Sequence, residues 1–266
     1  MTSIAHAHPA TPATPSAQPS ISPQWDSVAA RSFGIALGIG TQLLFLYTVV
    51  FLFLFLRYGS STTHPSWWLT DALMAIGFAL PHSILLAPFS QRWMRQHVPS
   101  GMLGSIHCCV TCMTLLAMFH FWGASEILIW RATGWVETAI LFCFYGSWLA
   151  LFYSLYCTGL GYQTGLTQWW YWFRQTKPPQ RPFLTTGAFR WMRHPVYMSF
   201  LGLIWFTPTM SLDHAILTFV WTIYIFAGSY FKDKRLLFFI GQPYLDYGRK
   251  TTGLPLIGFG SLRRFQ

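Results

Sequence analysis

Long apolar runs separated by short polar turns dominate the hydrophobic pattern of this chain. Four of these runs are each about twenty residues or longer, which is enough to cross the hydrocarbon core of a bilayer as a helix. They cover about residues 32–56, 67–87, 101–122 and 135–157. A fifth apolar block, residues 196–231, is interrupted at Pro208 and at polar residues 211–214, so it predicts a helical hairpin that is tilted or lies partly within one leaflet. Residues 236–250 then predict an amphipathic helix in the tail.

The pattern therefore predicts an all-α, polytopic membrane protein. It has four full transmembrane helices, a C-terminal hydrophobic helical hairpin and an amphipathic cytoplasmic tail helix. The first residues are rich in Pro, Ala and Ser and show no apolar period, which is typical of disorder. We predict residues 1–30 as a disordered tail and residues 31–266 as one integral-membrane domain. A cleaved secretory signal is not expected, because Arg31 is the only base before the first run.

Composition supports a membrane protein and argues against two other classes. The chain is 53% hydrophobic and 9% charged, whereas a soluble domain has about a quarter of its residues charged. The net charge of +10 does not indicate a nucleic-acid surface, because the bases flank the apolar runs instead of forming one face. Five cysteines lie inside or at the ends of apolar runs, and this odd, buried set argues against a disulfide framework.

The positions of lysine and arginine predict the orientation of the chain. With the N-terminus inside the cell, only Arg57 and Arg131 fall outside, and every other base falls on the inner side. The positive-inside rule then places both termini in the cytoplasm. The aromatic stretch at residues 165–177, GLTQWWYWFRQTK, is typical of a helix in the headgroup layer.

The polar stretch from Arg181 to Tyr197 precedes the hairpin and contains the first candidate site. Proline suits the first turn of a helix, so His194 and Pro195 are predicted as its N-cap and first residue. The amides of residues 196–198 would then be unpaired donors close to Arg190 and Arg193. Such a helix end attracts a carboxylate or a phosphate. The alternative is a basic loop that contacts lipid headgroups.

The tail contains the second candidate site. Tyr244 and Tyr247 are three residues apart and share a helical face, and Asp233 and Asp246 are expected to pair with nearby bases. The hairpin would bring this tail to the same membrane face as the Arg181–Tyr197 stretch. The alternative is a solvated interfacial helix with ordinary ion pairs.

Histidines and cysteines in two of the apolar runs form a third, weaker candidate. Three side chains of the third run fall on one helical face, where a metal or haem site is conceivable. They are Cys108, Cys112 and His120. No second cluster completes the site, so packing of small side chains explains the pattern better and no metal site is predicted. His82, in the second run, is either functional or a neutral imidazole bonded to a backbone carbonyl.

Several motifs resemble those of the isoprenylcysteine carboxyl methyltransferase superfamily. The chain has RHPVY, an apolar hairpin and FFIGQPYLDYGRKTTGLPLIG in the family's order and spacing. The closest branch is that of the bacterial methanethiol S-methyltransferases and NnrU-like proteins, which LPHSILLAPFSQRW, GLTQWWYWFR and FTPTMSLDH resemble. The resemblance covers about residues 78–258, which is most of the predicted membrane domain.

The resemblance implies that S-adenosyl-L-methionine binds at the cytoplasmic face of a bacterial inner membrane, while substrate arrives from the bilayer. Arg193, His194, Pro195 and Tyr197 match the RHPxY motif, and Tyr244 and Tyr247 match the tail tyrosines. We assign catalytic roles to Arg193 and Asp233. Cofactor binding is assigned to six residues: Arg190, His194, Pro195, Tyr197, Tyr244 and Tyr247.

The chain departs from the family at one functional position. Lys232 and Asp233 stand where the family has two glutamates, so a positive charge replaces a negative one near a sulfonium cation. The leading hypothesis is a membrane methyltransferase acting on a small thiol, similar to methanethiol, or on another apolar nucleophile. The alternative is a catalytically inactive relative that is a structural or assembly subunit of a membrane complex. A third hypothesis is a redox or metal accessory protein that uses the histidines and cysteines of the third run.

Overall fold

The computed structural model describes residues 27–179, 183, 185–254 and 263–265. The predicted tail up to residue 26, as well as Arg181, lies outside these residues. The helices are α1 (Val28–Tyr58), α2 (Trp67–Leu86), α3 (Pro88–His97), α4 (Leu103–Phe121), α5 (Gly134–Thr158), α6 (Leu160–Gln163), α7 (Leu166–Phe173), α8 (Pro195–Trp205), α9 (Leu212–Ile240) and α10 (Gln242–Lys250). Two 3₁₀ turns, Ser100–Met102 and Gly187–Arg190, and two strands, β1 (Leu128–Arg131) and β2 (Thr209–Ser211), complete the described elements.

Five of these helices are long and apolar enough to cross a membrane, namely α1, α2, α4 with the 3₁₀ turn before it, α5 and α9. Their outward faces are apolar as well. On α5, for example, Phe142 and Tyr156 are 80% and 81% exposed. Large exposed apolar surfaces are rare in soluble monomers and are expected where helices face lipid. The prediction of an all-α, polytopic membrane protein is confirmed.

The predicted hairpin is asymmetric. Its first arm, α8, has 11 residues, whereas its second arm, α9, has 29. The turn between them contains β2, which pairs antiparallel with β1 in the connection between α4 and α5. We call this end of the bundle the strand end, and the opposite end, where α8 begins, the site end. The hairpin therefore runs from the site end to the strand end, and the residues between α8 and β2 complete its short first arm.

The predicted tail helix at residues 236–250 is wrong in one respect, because it is two helices. Its first residues belong to α9, and the chain breaks at Gly241, whose φ of +70° favours glycine. The Gly241 amide donates to the Leu237 carbonyl and closes α9. The basic segment at residues 88–97 also differs from the predicted turn, because Pro88 starts the short helix α3.

Close packing of small residues holds the helices together. A Cβ atom at Gly38 would lie 2.0 Å from the Trp169 ring nitrogen, so only glycine lets α7 approach α1 so closely. The same ring nitrogen donates to the Gly34 carbonyl at 3.0 Å. Likewise, a Cβ atom at Gly202 would lie 2.2 Å from the Ser147 hydroxyl, where α8 crosses α5. The aromatic stretch thus forms a helix that packs on the first span.

Two buried aspartates fix the loop at the strand end. Oδ1 of Asp71, on α2, accepts the Gly123 amide at 2.7 Å. Oδ1 of Asp213, on α9, accepts the Ser125 amide at 3.0 Å. The two aspartates are 0% and 5% exposed. They therefore tie the segment that leads from α4 into β1 to two other helices.

Candidate active site

The start of α8 lies where the two predicted polar stretches meet. His194 is the N-cap of α8 and Pro195 is its first residue, as the sequence predicts. The Arg193 amide donates to the Thr252 carbonyl at 2.9 Å, and the His194 amide donates to the Gly253 carbonyl at 3.1 Å. The segment before α8 and the segment after α10 are therefore joined through their backbones.

A single carboxylate, that of Asp233 on α9, brings three predicted site residues together. Arg193 donates to its Oδ2 from Nη2 at 2.9 Å and from Nε at 3.2 Å. Tyr244 donates its hydroxyl to Oδ1 at 2.5 Å. His194 Nε2 also lies 3.0 Å from Oδ1, although the two groups are not aligned for a hydrogen bond. We call these four residues the Asp233 cluster.

The remaining contacts of Arg193 tie it to the tail. Nη1 donates to the Thr251 carbonyl and, at 3.4 Å, to the Gly248 carbonyl, while Nη2 donates to the Arg263 carbonyl at 3.1 Å. The guanidinium carbon lies 4.3 Å from the centre of the Phe265 ring. A buried charge is tolerated only when it is paired and hydrogen-bonded. Arg193 meets this condition, and its side chain fixes the tail against α8.

The two tail tyrosines anchor the cluster on its other side. The Tyr247 hydroxyl donates to the Phe189 carbonyl at 2.6 Å, and its ring centre lies 5.9 Å from that of Tyr244. Burial raises the pKa of both tyrosines, and the Asp233 carboxylate raises both further. Both hydroxyls therefore remain protonated at neutral pH and act as hydrogen-bond donors.

His194 has an unused polar atom in this buried setting. It is fully buried, and its ring stacks on Tyr197 with centres 5.3 Å apart. Burial lowers the pKa of His194 below its ordinary value, even though the Asp233 carboxylate acts in the opposite direction. The ring is therefore neutral at pH 7, and its Nδ1 has no hydrogen-bond partner among the described residues. An unsatisfied buried nitrogen is available to an ordered water or to a ligand.

The helix end beside His194 supplies further donors, although fewer than predicted. The Met198 amide donates to the His194 carbonyl at 3.1 Å and so belongs to the helix. The amides of Val196 and Tyr197 remain as first-turn donors, which an α-helix leaves without intrahelical partners. The expected anion-attracting end is thus present with two amides in place of three.

Lys232, the residue that departs from the family motif, faces the same aromatic ring. Its ammonium lies 5.1 Å from the centre of the Tyr197 ring, within the range of a cation–π contact. Its side chain is half-buried. The charge that replaces the glutamate thus lies next to the Asp233 cluster.

Arg190 is the predicted cofactor-binding residue that makes no contact with the Asp233 cluster among the described residues. It is exposed on a 3₁₀ turn, and its guanidinium lies 6.0 Å from the centre of the Trp191 ring.

On α4, Cys108 and Cys112 are buried whereas His120 is exposed, so the three do not converge. In the part of the chain that the structure describes, no three His, Cys, Asp or Glu side chains are placed to hold a metal ion.

Sequence reasoning missed several partners of the predicted residues. The carbonyls that bind Arg193 belong to Gly248 and Thr251, and a sequence gives no signal for a backbone acceptor. The partner of His82 is Thr111, whose hydroxyl lies 3.2 Å from Nδ1. Its position four residues after His107 was a usable signal, because both then face the same neighbouring helix.

Comparison with known proteins finds relatives in the branch that the motifs resemble. The chain is 28% identical over 207 residues to a methanethiol S-methyltransferase of Pseudomonas deceptionensis, covering 77% of this chain and 78% of the relative. It is 25% identical over 244 residues to one of Crocosphaera subtropica, covering 88% and 96%. Rat nurim is 26% identical over 165 residues, covering 58% and 62%. No family model matches the chain, and no solved structure matches it significantly.

The resemblance predicted from the motifs is confirmed. The similarity to the Crocosphaera subtropica relative extends across most of the chain. At Lys232 and Asp233 the chain departs from the paired glutamates that the motif resemblance predicts.

Proposed function

We propose that this protein is an S-adenosylmethionine-dependent membrane methyltransferase that acts on a small apolar thiol. The observation that carries the proposal is the Asp233 cluster, which joins the RHPVY stretch to the tail. Beside it, at a helix N-terminus, the buried Nδ1 of His194 has no hydrogen-bond partner in the described part of the chain. The named activity of the relatives, methanethiol S-methylation, supports a thiol as acceptor.

The residues around His194 fit the chemical groups of S-adenosylmethionine. The amides of Val196 and Tyr197 at the positive end of α8 suit its carboxylate. His194 Nδ1 offers a further polar contact, and the Tyr197 ring suits a cation. When bound, this molecule supplies an electrophilic methyl group on a sulfonium.

The protein's own residues act mainly by positioning the reactants. Arg193 and Asp233 satisfy one another and hold the tail against α8, so we infer that they position the site instead of exchanging protons. The neutral His194 is held between Asp233 and the Tyr197 ring. Methyl transfer is an in-line displacement, for which alignment of the reactants supplies much of the acceleration. The apolar spans admit an apolar thiol and exclude water.

A specific observation favours a second candidate, a catalytically inactive relative that is a subunit of a membrane complex. The Lys232 ammonium lies on the Tyr197 ring, the surface that would otherwise face the sulfonium. Two cations that share this surface repel one another. A protein that has lost its methyl donor in this way would be isolated with stoichiometric membrane partners.

The deciding experiment is calorimetric titration of S-adenosylmethionine into the detergent-solubilised protein, together with Lys232→Glu. Lys234→Glu is a matched control, because it makes the same charge change two residues away, where the ammonium lies over Tyr230. Binding by the wild type, with methyl transfer to methanethiol, supports the enzyme. Binding only by Lys232→Glu supports the inactive subunit. No binding by any variant at millimolar concentration overturns the enzyme, and purification without stoichiometric membrane partners would then overturn the inactive subunit as well.

We further propose that the site end faces the cytoplasm of a bacterial inner membrane. The distribution of lysine and arginine along the sequence supports this orientation, because only Arg57 and Arg131 would then lie outside the cell. Alkaline phosphatase fused to each terminus tests the orientation, because this reporter is active only in the periplasm. We expect both fusions to be inactive.

A further inference from the structure

A second polar cluster lies inside the apolar bundle, between α2, α4 and α9. Nδ1 of His82 lies 3.2 Å from the Thr111 hydroxyl, and the His82 ring centre lies 4.9 Å from that of His107. The Tyr224 ring on α9 lies 6.3 Å from His82. Ionisable side chains in transmembrane helices are costly and usually have a function. The mechanism described so far uses none of these four residues.

The hydrogen bonds of Thr111 determine which nitrogen of His82 carries the proton. The Thr111 hydroxyl donates to the His107 carbonyl at 2.7 Å, and a hydroxyl has only one proton to donate. Toward His82 it is therefore an acceptor, so Nδ1 carries the proton. The lone pair of neutral His82 is then on Nε2.

His82 Nε2 is available to a substrate. It makes no hydrogen bond to any described residue, and the His82 side chain is half-buried instead of sealed within the bundle. His82 is thus a neutral imidazole held at one nitrogen, with an open acceptor at the other. This is the arrangement that a general base requires.

One face of α9 connects this imidazole to the candidate active site. Tyr224, Gly228 and Lys232 follow at intervals of four residues and therefore share that face. A Cβ atom at Gly228 would lie 3.7 Å from the Tyr197 hydroxyl, so the backbone at 228 faces Tyr197 with no side chain between them. The face runs from the His82 neighbour Tyr224 to the Tyr197 neighbour Lys232, about two helical turns.

We propose that His82 is the proton acceptor for the methyl-accepting thiol and that Thr111 is the residue that positions it. The inference rests on the proposed function. The S–H bond of the thiol breaks and its proton passes to Nε2 of His82, while the thiol sulfur forms a bond to the methyl carbon. The carbon–sulfur bond of the sulfonium breaks with its electron pair remaining on the donor sulfur. The proton returns to water after the product leaves.

The charged and titratable groups around His82 come from two helices. The His107 ring of α4 is tilted by 54° against it and the Tyr224 ring of α9 lies edge-on to it, and Arg235 of α9 acts electrostatically on His107. No carboxylate among the described residues is in contact with His82, so the imidazole itself is the proton acceptor of this cluster.

The test compares His82→Gln with the wild type, using ethanethiol and thiophenol as acceptors. Ethanethiol must lose its proton during the reaction, whereas thiophenol is largely ionised near neutral pH. We expect His82→Gln to lower kcat for ethanethiol about 100-fold or more and to change kcat for thiophenol much less. The variant's rate with ethanethiol should rise about tenfold per pH unit, because hydroxide must replace the imidazole.

Two further variants keep the inference testable if His82→Gln fails to fold. Thr111→Val removes the acceptor for Nδ1 and should lower kcat for ethanethiol, whereas Thr111→Ser should restore it. His97→Gln is the matched control, because His97 is exposed and bonds only to the Trp93 carbonyl of its own helix. Calorimetric binding of S-adenosylmethionine should be unchanged in all of them.

The outcomes separate the inference from the proposed function. Equal loss with both thiols, or no loss in a folded His82→Gln that still binds S-adenosylmethionine, overturns the role of His82 and leaves the methyltransferase intact. A wild type without methyl transfer to either thiol overturns both.

Discussion

Each end of the bundle buries a carboxylate from a membrane helix, but the two carboxylates are satisfied in different ways. At the site end, Asp233 is paired with Arg193 and accepts the Tyr244 hydroxyl. At the strand end, Asp71 accepts the Gly123 amide, and its Oδ2 has no hydrogen-bond partner among the described residues. The first arrangement joins three segments around a compensated charge, whereas the second only fixes a loop. Burial of an acid is therefore not enough to indicate an active site, and the number of segments that meet at it is more informative.

Removing the cation of the site end should have the largest effect. Arg193→Ala leaves the Asp233 carboxylate buried without its partner, which should lower the free energy of unfolding by about 3–5 kcal/mol. Unfolding in detergent can be followed by tryptophan fluorescence. The double variant Arg193→Ala with Asp233→Ala should lose less than Arg193→Ala alone. A single variant as stable as the wild type would show that the pair does not hold the tail.

The strand end should be less sensitive. Asp71→Ala removes the acceptor of the Gly123 amide and should lower the free energy of unfolding by about 1–3 kcal/mol. Asp71→Asn keeps an acceptor oxygen and should cost less than Asp71→Ala. Neither should alter calorimetric binding of S-adenosylmethionine. A loss of binding in a folded Asp71→Asn would contradict the distinction between the two ends.

Acid should destabilise the site end in particular. Burial holds the pKa of His194 below its ordinary value of about 6.5. As the pH falls through that value, the unfolded chain takes up a proton that the folded chain does not, so stability decreases. Above that pH, His194 is neutral in both the folded and the unfolded chain, so its contribution to stability does not change with pH. The melting temperature should fall as the pH is lowered from 7 to 5, and the slope should be smaller in His194→Gln but not in His97→Gln.

The smallest effect is expected at an exposed ion pair on α10. Arg249 Nη1 lies 3.5 Å from Asp246 Oδ1, and both side chains are about half exposed, at 50% and 53%. Such pairs contribute about 0–1 kcal/mol. Asp246→Asn should therefore leave the melting temperature and ligand binding nearly unchanged. A large loss in this variant would mean that charge on α10 matters beyond the Asp233 cluster.

The sequence was most informative where one residue determines its own local geometry. Pro195 predicted the start of α8, and the RHPVY and YLDY motifs predicted which segments meet. It was least informative where a backbone group is the partner. The sequence does not predict that the Gly248 carbonyl accepts from Arg193 or that the Gly123 amide donates to Asp71, because both contacts depend on how distant segments pack together. The break at Gly241 was also missed, since an amphipathic pattern continues across it.

The separation of these partners along the chain has a consequence for synthesis in the cell. Arg193 is made 40 residues before Asp233 and 58 residues before Thr251. At about 5–20 residues per second, Asp233 follows after about 2–8 s and the tail carbonyls slightly later. During this interval the guanidinium has no buried counter-charge, so it has to remain in water or among headgroups. The site therefore cannot be complete until the tail has been made, and a ribosome that stalls in the tail leaves a protein without it.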